Sequence, residues 1–120
     1  MSSCIFCRII EKTIPAKIVY EDDQLIAFHD LYPKAPVHLL VVPKLHIESM
    51  SHVEAEHAPL LGHLMTKIPL IAHEHGLNQG FRTIINTGPI GGQEVYHIHA
   101  HILGGQTPLP LMIAPTHRTN

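Results

Sequence analysis

Apolar positions along the chain recur with two periods. Ile5, Phe6, Ile9 and Ile10 fall three and four apart, which predicts a short amphipathic helix over residues 4–12, ended before Pro15. The runs at residues 17–21 and 25–30 are β-prone and flank the polar corner Asp22-Asp23-Gln24, the pattern of an antiparallel hairpin. A loop is expected at residues 32–36. Residues 37–43 are apolar except for His38, as in a central strand covered on both faces, which places His38 inside.

Farther along, Leu60, Leu61, Leu64, Met65, Ile68 and Ile71 line one side of the main helix, expected over residues 54–76. Pro59 fits its first turn, Pro69 should kink or split it, and Gly76 is a stop signal. A strand at residues 81–86 and a glycine-bearing loop at 87–93 lead to a long strand, residues 94–103. No repeats are present, and the tail from Gly104 has no periodicity, so it wraps the surface or reaches a partner subunit. These elements predict one α+β domain over residues 1–120.

Composition narrows the function. The chain of 120 residues is 45% hydrophobic, enough for one core. Lys and Arg total 8 against 10 for Asp and Glu and are scattered from Arg8 to Arg118, which argues against nucleic-acid binding. No run suits a membrane span, and the amino terminus lacks the pattern of a secretion signal, so a cytoplasmic protein is expected. The anomaly is 12 histidines. Histidine titrates near neutrality, so placement matters more than number.

In Val95-Tyr96-His97-Ile98-His99-Ala100-His101-Ile102-Leu103 the histidines alternate with apolar residues. On a strand, His97, His99 and His101 share one face, roughly 6.5 Å apart, while Ile98, Ala100 and Ile102 bury the other. A polar edge-strand face is the bland alternative. A catalytic zinc held by two of these histidines is another, though no HExxH helix supplies a base and His73 and His75 diverge. The third is a nucleophile: a neutral imidazole attacks phosphorus, and its neighbours orient it and protonate the leaving group. Gly88, Gly91 and Gly92 just upstream let backbone amides approach a phosphate.

The segments CIFCRIIEKTIPAKIVYEDD, AFHDLYPKAPVHLLVVPKLH and GGQEVYHIHAHILGG closely resemble the histidine triad (HIT) family, in its nucleoside phosphoramidase branch, over nearly the whole chain. The resemblance implies a five-stranded antiparallel sheet with one long and one short helix, in a two-fold homodimer with the tail from about residue 105 at the interface. It implies a hydrolase of purine nucleoside phosphoramidates or acyl-adenylates, working through a nucleotidyl-histidine without an organic cofactor. His99 is then the nucleophile, assisted by His38 and His101. Asp30 matches the ribose-binding position, and Ile5, Phe6, Ile9, His29, Leu31 and Leu40 match the base pocket. Asn86, Gly92 and Gln93 match positions around the α-phosphate. Glu94 stands beside the leaving group where many members have serine; bacterial-type members are similar in carrying glutamate there. Rival readings are a non-catalytic nucleotide-binding regulator and a hydrolase with an open catalytic zinc.

Cys4 and Cys7 have CxxC spacing, which on a first helical turn can direct both thiolates at one ion; inert buried cysteines are the alternative. The resemblance adds His46 and His97, completing a Cys2His2 set for a structural zinc. His52, His57, His63, His73, His75 and His117 have no partner spacing and are expected on the surface.

Overall fold

The computed structural model describes residues 3–113. Residues 114–120, with His117 and the end of the tail expected at a subunit interface, lie outside the described residues. Helix α1 (Ile5–Ile10) is shorter than its pattern because Cys4 is its N-cap, the sulfur accepting the Cys7 amide at 3.4 Å. Strands β1 (Ile18–Glu21) and β2 (Leu25–His29) form the expected hairpin. At its corner, Asp22 Oδ1 accepts the amides of Gln24 and Leu25 at 2.7 and 2.8 Å. Asp22 Oδ2 accepts the Tyr20 hydroxyl at 2.6 Å and meets His63 Nε2 at 2.7 Å.

Burial opposes the charge on Asp22, but Tyr20, the two amides and His63 together hold its carboxyl far below the usual range. Its hydrogen bond, with burial, pushes the Tyr20 hydroxyl up to about 12. A depressed carboxyl adds stability above its unfolded pKa and loses it as pH falls through the folded one. Asp22→Ala is therefore expected to cost about 1–2 kcal/mol at neutral pH. Urea denaturation of both proteins should show the gap narrowing as pH drops below 4; a gap constant with pH would count against this account.

Strand β3 (Val37–Pro43) has the predicted bounds and is central. With β4 (Arg82–Ile84) and β5 (Ala100–Gly104) it completes a five-stranded sheet, order β1-β2-β3-β5-β4, antiparallel throughout. Side-chain alternation divides the core in two. Leu25, Ala27, Leu39, Val41, Ala100 and Ile102 face helix α2 (Ala58–Glu74), while Ile26, Phe28, Leu40 and Val42 face Phe6 and Ile9 of α1. The catalytic candidates lie on the α1 side.

Several boundaries depart from the sequence reading. The strand expected over residues 94–103 spans only Ala100–Gly104. Its first half is diverted from the ladder: the Ile98 amide donates to the Ile47 carbonyl at 2.7 Å, and the His97 carbonyl accepts His99 Nδ1 at 2.8 Å. Strand β4 is correspondingly short, since residues beyond Ile84 have no ladder partner. Two 3-10 turns, Met50–His52 and Ala55–His57, precede α2, so the main helix begins later than expected.

Helix α2 runs unbroken past Pro69. That residue is exposed, so the carbonyl it leaves without an amide partner faces water, while Leu64, Ile68 and Ile71 anchor the buried side. Leu61 and Met65 are only partly covered or exposed. Gly76, at φ 80, ends the helix as expected: its amide donates to the His73 carbonyl and that of Leu77 to the Ala72 carbonyl, both at 3.1 Å. Among the described residues no helix is long and apolar enough to cross a membrane.

Candidate active site and metal centre

Even off the ladder, the segment before β5 keeps its alternation. Ile98, Ala100 and Ile102 enter the core under α2, and His99 turns toward α1, its ring edge-on to Phe6 with centroids 5.0 Å apart. His97 lies on the same side, 5.9 Å from Phe6, and His101 lies 5.0 Å from His99. His97, His99 and His38 are 0%, 6% and 4% exposed, so they are interior groups.

Hydrogen bonds fix where each ring carries its proton. A carbonyl only accepts, so at 2.8 Å from the His97 carbonyl His99 Nδ1 must donate. The Nε2 lone pair of neutral His99 is then bare. His38 Nδ1 accepts the Lys34 amide at 3.0 Å, so His38 carries its proton on Nε2 and donates it to His101 Nδ1 at 2.9 Å. His101 in turn carries its proton on Nε2. Asp30 Oδ2 stands 3.5 Å from His38 Nε2.

The electrostatics keep the rings neutral. Burial pushes the His99 pKa below its ordinary value, against the upward pulls of the His97 carbonyl, Asp30 and Glu94. His101 is driven down to about 4, by burial first and then by His99 and His38. His38 and His97 are also lowered, chiefly by burial.

These groups open on a cleft of about 1010 Å³. Its walls include Ile5, Phe6, Ile9, His29, Asp30, Leu31, Leu40, Asn86, Gly92, Glu94, His99 and His101, so the structure gathers nearly every residue that the resemblance implied. His38 does not line it but is buried, its Nε2 2.9 Å from His101 Nδ1. Gln93 is the second exception. It is buried, its Oε1 accepting the Gly88 amide and its Nε2 donating to the Glu48 and Val95 carbonyls, so it braces the 87–93 loop instead of facing the cleft. Within that loop Gly92 has φ 80, and a Cβ on Gly91 would collide with the Thr87 carbonyl.

The reading missed Phe28, Val95, Tyr32, Pro33 and the Ile14–Lys17 stretch, which also line the cleft. Phe28 was accessible in principle, because it alternates with Ile26 on one face of β2. Tyr32 and Pro33 sit in a loop without periodicity.

A second cluster lies behind Phe6. His97 Nε2 donates to the Pro43 carbonyl at 2.7 Å, which turns Nδ1 toward Cys4 Sγ at 3.4 Å, Cys7 Sγ at 3.6 Å and His46 Nδ1 at 3.1 Å. Cys7 Sγ is 3.4 Å from His46 Nδ1. All four donor atoms lie within 4.8 Å of one another. A tetrahedral zinc at ordinary bond lengths sets about 3.3 Å between two nitrogens and about 3.6 Å between nitrogen and sulfur. The donor set and its edges fit that ion.

The histidines expected on the surface are not all idle. His63 pairs with Asp22, His57 Nδ1 accepts the Glu54 amide at 2.9 Å, and His75, half-buried, meets the Ile71 carbonyl at 2.9 Å. His52 and His73 are exposed as expected.

The chain is similar to a set of known proteins. A family model described as "Scavenger mRNA decapping enzyme C-term binding" matches residues 3–117. Protein HitA of Neisseria gonorrhoeae is 55% identical over 104 residues, covering 87% of this chain and 97% of that protein. The 14 kDa zinc-binding protein of Brassica juncea is 46% identical over 104 residues, 85% of this chain and 92% of that one. Adenylylsulfatase HINT1 of Arabidopsis thaliana is 46% identical over 107 residues, 88% of this chain and 73% of that one. Among solved structures, a histidine triad protein from Clostridium difficile superposes with a TM-score of 0.87 at 46% identity, covering 92% of this chain and 97% of that chain.

Proposed function

Because this chain belongs to the histidine triad family, we propose that it is a nucleotide-binding hydrolase that cleaves purine nucleoside phosphoramidates or acyl-adenylates through a nucleotidyl-histidine on His99. The observation that carries the reading is the His99 hydrogen bond: with Nδ1–H committed to the His97 carbonyl, Nε2 is bare inside a cleft of about 1010 Å³. The base enters the apolar end between Phe6, Ile9 and Leu40, and Asp30 accepts the ribose hydroxyls. The α-phosphate lies against Gly92 and Asn86, held by backbone and side-chain donors.

His99 Nε2 forms a bond to phosphorus as the bond from phosphorus to the departing amine or carboxylate breaks. The ring becomes cationic, and its Nδ1–H bond to the His97 carbonyl stabilises that charge. His101, its Nδ1 occupied by the His38 proton, presents Nε2–H to the leaving atom. Water then attacks phosphorus and the electron pair returns to Nε2. Over both half-reactions the nucleotide keeps the water's hydroxyl, and the departing group takes the remaining proton. Positioning and charge stabilisation carry most of the acceleration.

The main rival places a catalytic zinc on the triad. Asp30, His38 and His101 do bring donor atoms within 4.8 Å of one another. However, His38 Nδ1 faces an amide N–H, so its Nε2 holds a proton and is a donor, not a ligand. Zinc belongs instead at Cys4, Cys7, His46 and His97, where it would serve as a structural tie between α1 and the sheet. The thiols of that site suit a reducing, cytoplasmic setting. Homodimerisation through the open β4 edge belongs to the same reading.

Mass spectrometry of protein quenched during turnover tests the proposal: it should find the nucleotidyl group on His99, and an adduct elsewhere, or none during rapid turnover, would overturn it. The pH profile offers a second check. Every triad ring is held below its ordinary pKa, so the acid limb of kcat/KM is expected to fall below pH 6.5. A limb at or above 6.5 would contradict the neutral-ring geometry.

A further inference from the structure

We propose that Glu94 sets the charge preference for the leaving group, so that amides of positively charged amines are cleaved in preference to neutral or anionic ones. The inference rests on the phosphoramidase reading and deepens it.

The leaving group shares the cleft with the groups proposed to hold base, ribose and phosphate. Phe6, Ile9 and Leu40 take the base and Asp30 the ribose, which brings phosphorus to His99. Asn86 and Gly92 are taken by the phosphate, and the polar lining groups not yet assigned include Glu94 and His101. A group displaced by His99 Nε2 therefore departs within the field of the Glu94 carboxylate, which acts on His99 together with Asp30, the acid proposed to be taken up by the ribose. Among the described residues Lys17, which follows Ile14, Pro15 and Ala16, is the only lysine or arginine lining the cleft. Glu94 is exposed at the cleft wall, and among the described residues it has no ion-pair partner. Its carboxylate is available to a cation on the departing group and repels an anion.

The competing geometry makes the opposite prediction. A neighbouring hollow of about 370 Å³ shares Asn86 and His101 with the cleft but is lined by Lys34 and Arg82. A leaving group turned into that hollow would meet positive charge, and anionic groups would be favoured.

Three adenosine 5'-phosphoramidates of matched length separate these cases: the mono-amide of 1,2-diaminoethane, the propylamide and the β-alanine amide. Their kcat/KM values are to be measured on the full chain and on Glu94→Gln, Glu94→Asp and Arg82→Gln. In the unmodified protein the order is expected to be cationic, neutral, anionic. Glu94→Gln should lower the cationic-to-anionic ratio about fivefold, as an exposed ion pair allows, with Glu94→Asp keeping the order and Arg82→Gln leaving it in place. An unchanged ratio in Glu94→Gln overturns the proposal, as does an anionic preference abolished by Arg82→Gln. Absence of turnover and of any His99 adduct with all three amides would instead sink the phosphoramidase reading itself, a result distinct from turnover without charge order.

Discussion

His99→Ala is expected to lower phosphoramidate turnover by about 10⁴-fold or more while nucleoside monophosphate still binds. The size follows from the division of labour in the cleft. On the proposed mechanism alanine removes the atom that forms the covalent intermediate, whereas Ile5, Phe6, Ile9 and Leu40, proposed to hold the base, and Asp30, proposed to hold the ribose, still line the cleft. Binding without chemistry is thus the signature, measured by single-turnover kinetics beside calorimetric titration of the nucleotide. Truncation also opens a hole beside Phe6, so the variant's thermal midpoint should be recorded to separate lost chemistry from lost structure. Turnover within tenfold of the unmodified protein would show that another group attacks phosphorus. An unmodified protein that binds nucleotide but hydrolyses none of these amides would be a regulator instead.

The second large effect concerns stability. Removing zinc with a strong chelator, or making the double substitution Cys4→Ser and Cys7→Ser, is expected to cost about 3 kcal/mol or more and to lower the thermal midpoint by about 10 °C. Helix α1 has only six residues and rests on the sheet through Phe6 and Ile9. The four donors join it to His46, just past β3, and to His97, just before β5. One equivalent of metal by elemental analysis, together with that loss on chelation, fits the account. Unfolding that is indifferent to chelation in protein carrying one equivalent of zinc would refute the structural role. Loss of turnover at an unchanged midpoint would point back to a catalytic ion.

How far the sequence reached depends on which interactions decide each element. β3 was legible to the residue because seven consecutive positions needed burial, and the main helix because Leu60, Leu64, Ile68 and Ile71 repeat on one stripe. The division of labour between histidines and their apolar neighbours was legible too, since it survives outside the regular strand. The extent of β5 was not. It is set by a tertiary hydrogen bond from Ile98 to Ile47 and by the local turn of His99 Nδ1 onto the His97 carbonyl, neither of which hydrophobic alternation records. Gln93 was expected at the phosphate by resemblance, but its amide is spent on three backbone groups of the loop and its surroundings. The proton position on His101 likewise depends on His38, 63 residues away, while those on His99 and His38 are set by the nearby His97 carbonyl and Lys34 amide, contacts that side-chain periodicity does not record.

Side chains of opposite purpose occupy adjacent places between His97 and Ile102: the odd-numbered ones serve the cleft and the metal set, the even-numbered ones the core beneath α2. Inserting or deleting a single residue here would exchange the two sets, pressing imidazoles into the hydrocarbon interior and turning isoleucines toward the nucleotide. Fold and chemistry would fail together, so this stretch tolerates changes of side chain far better than changes of length.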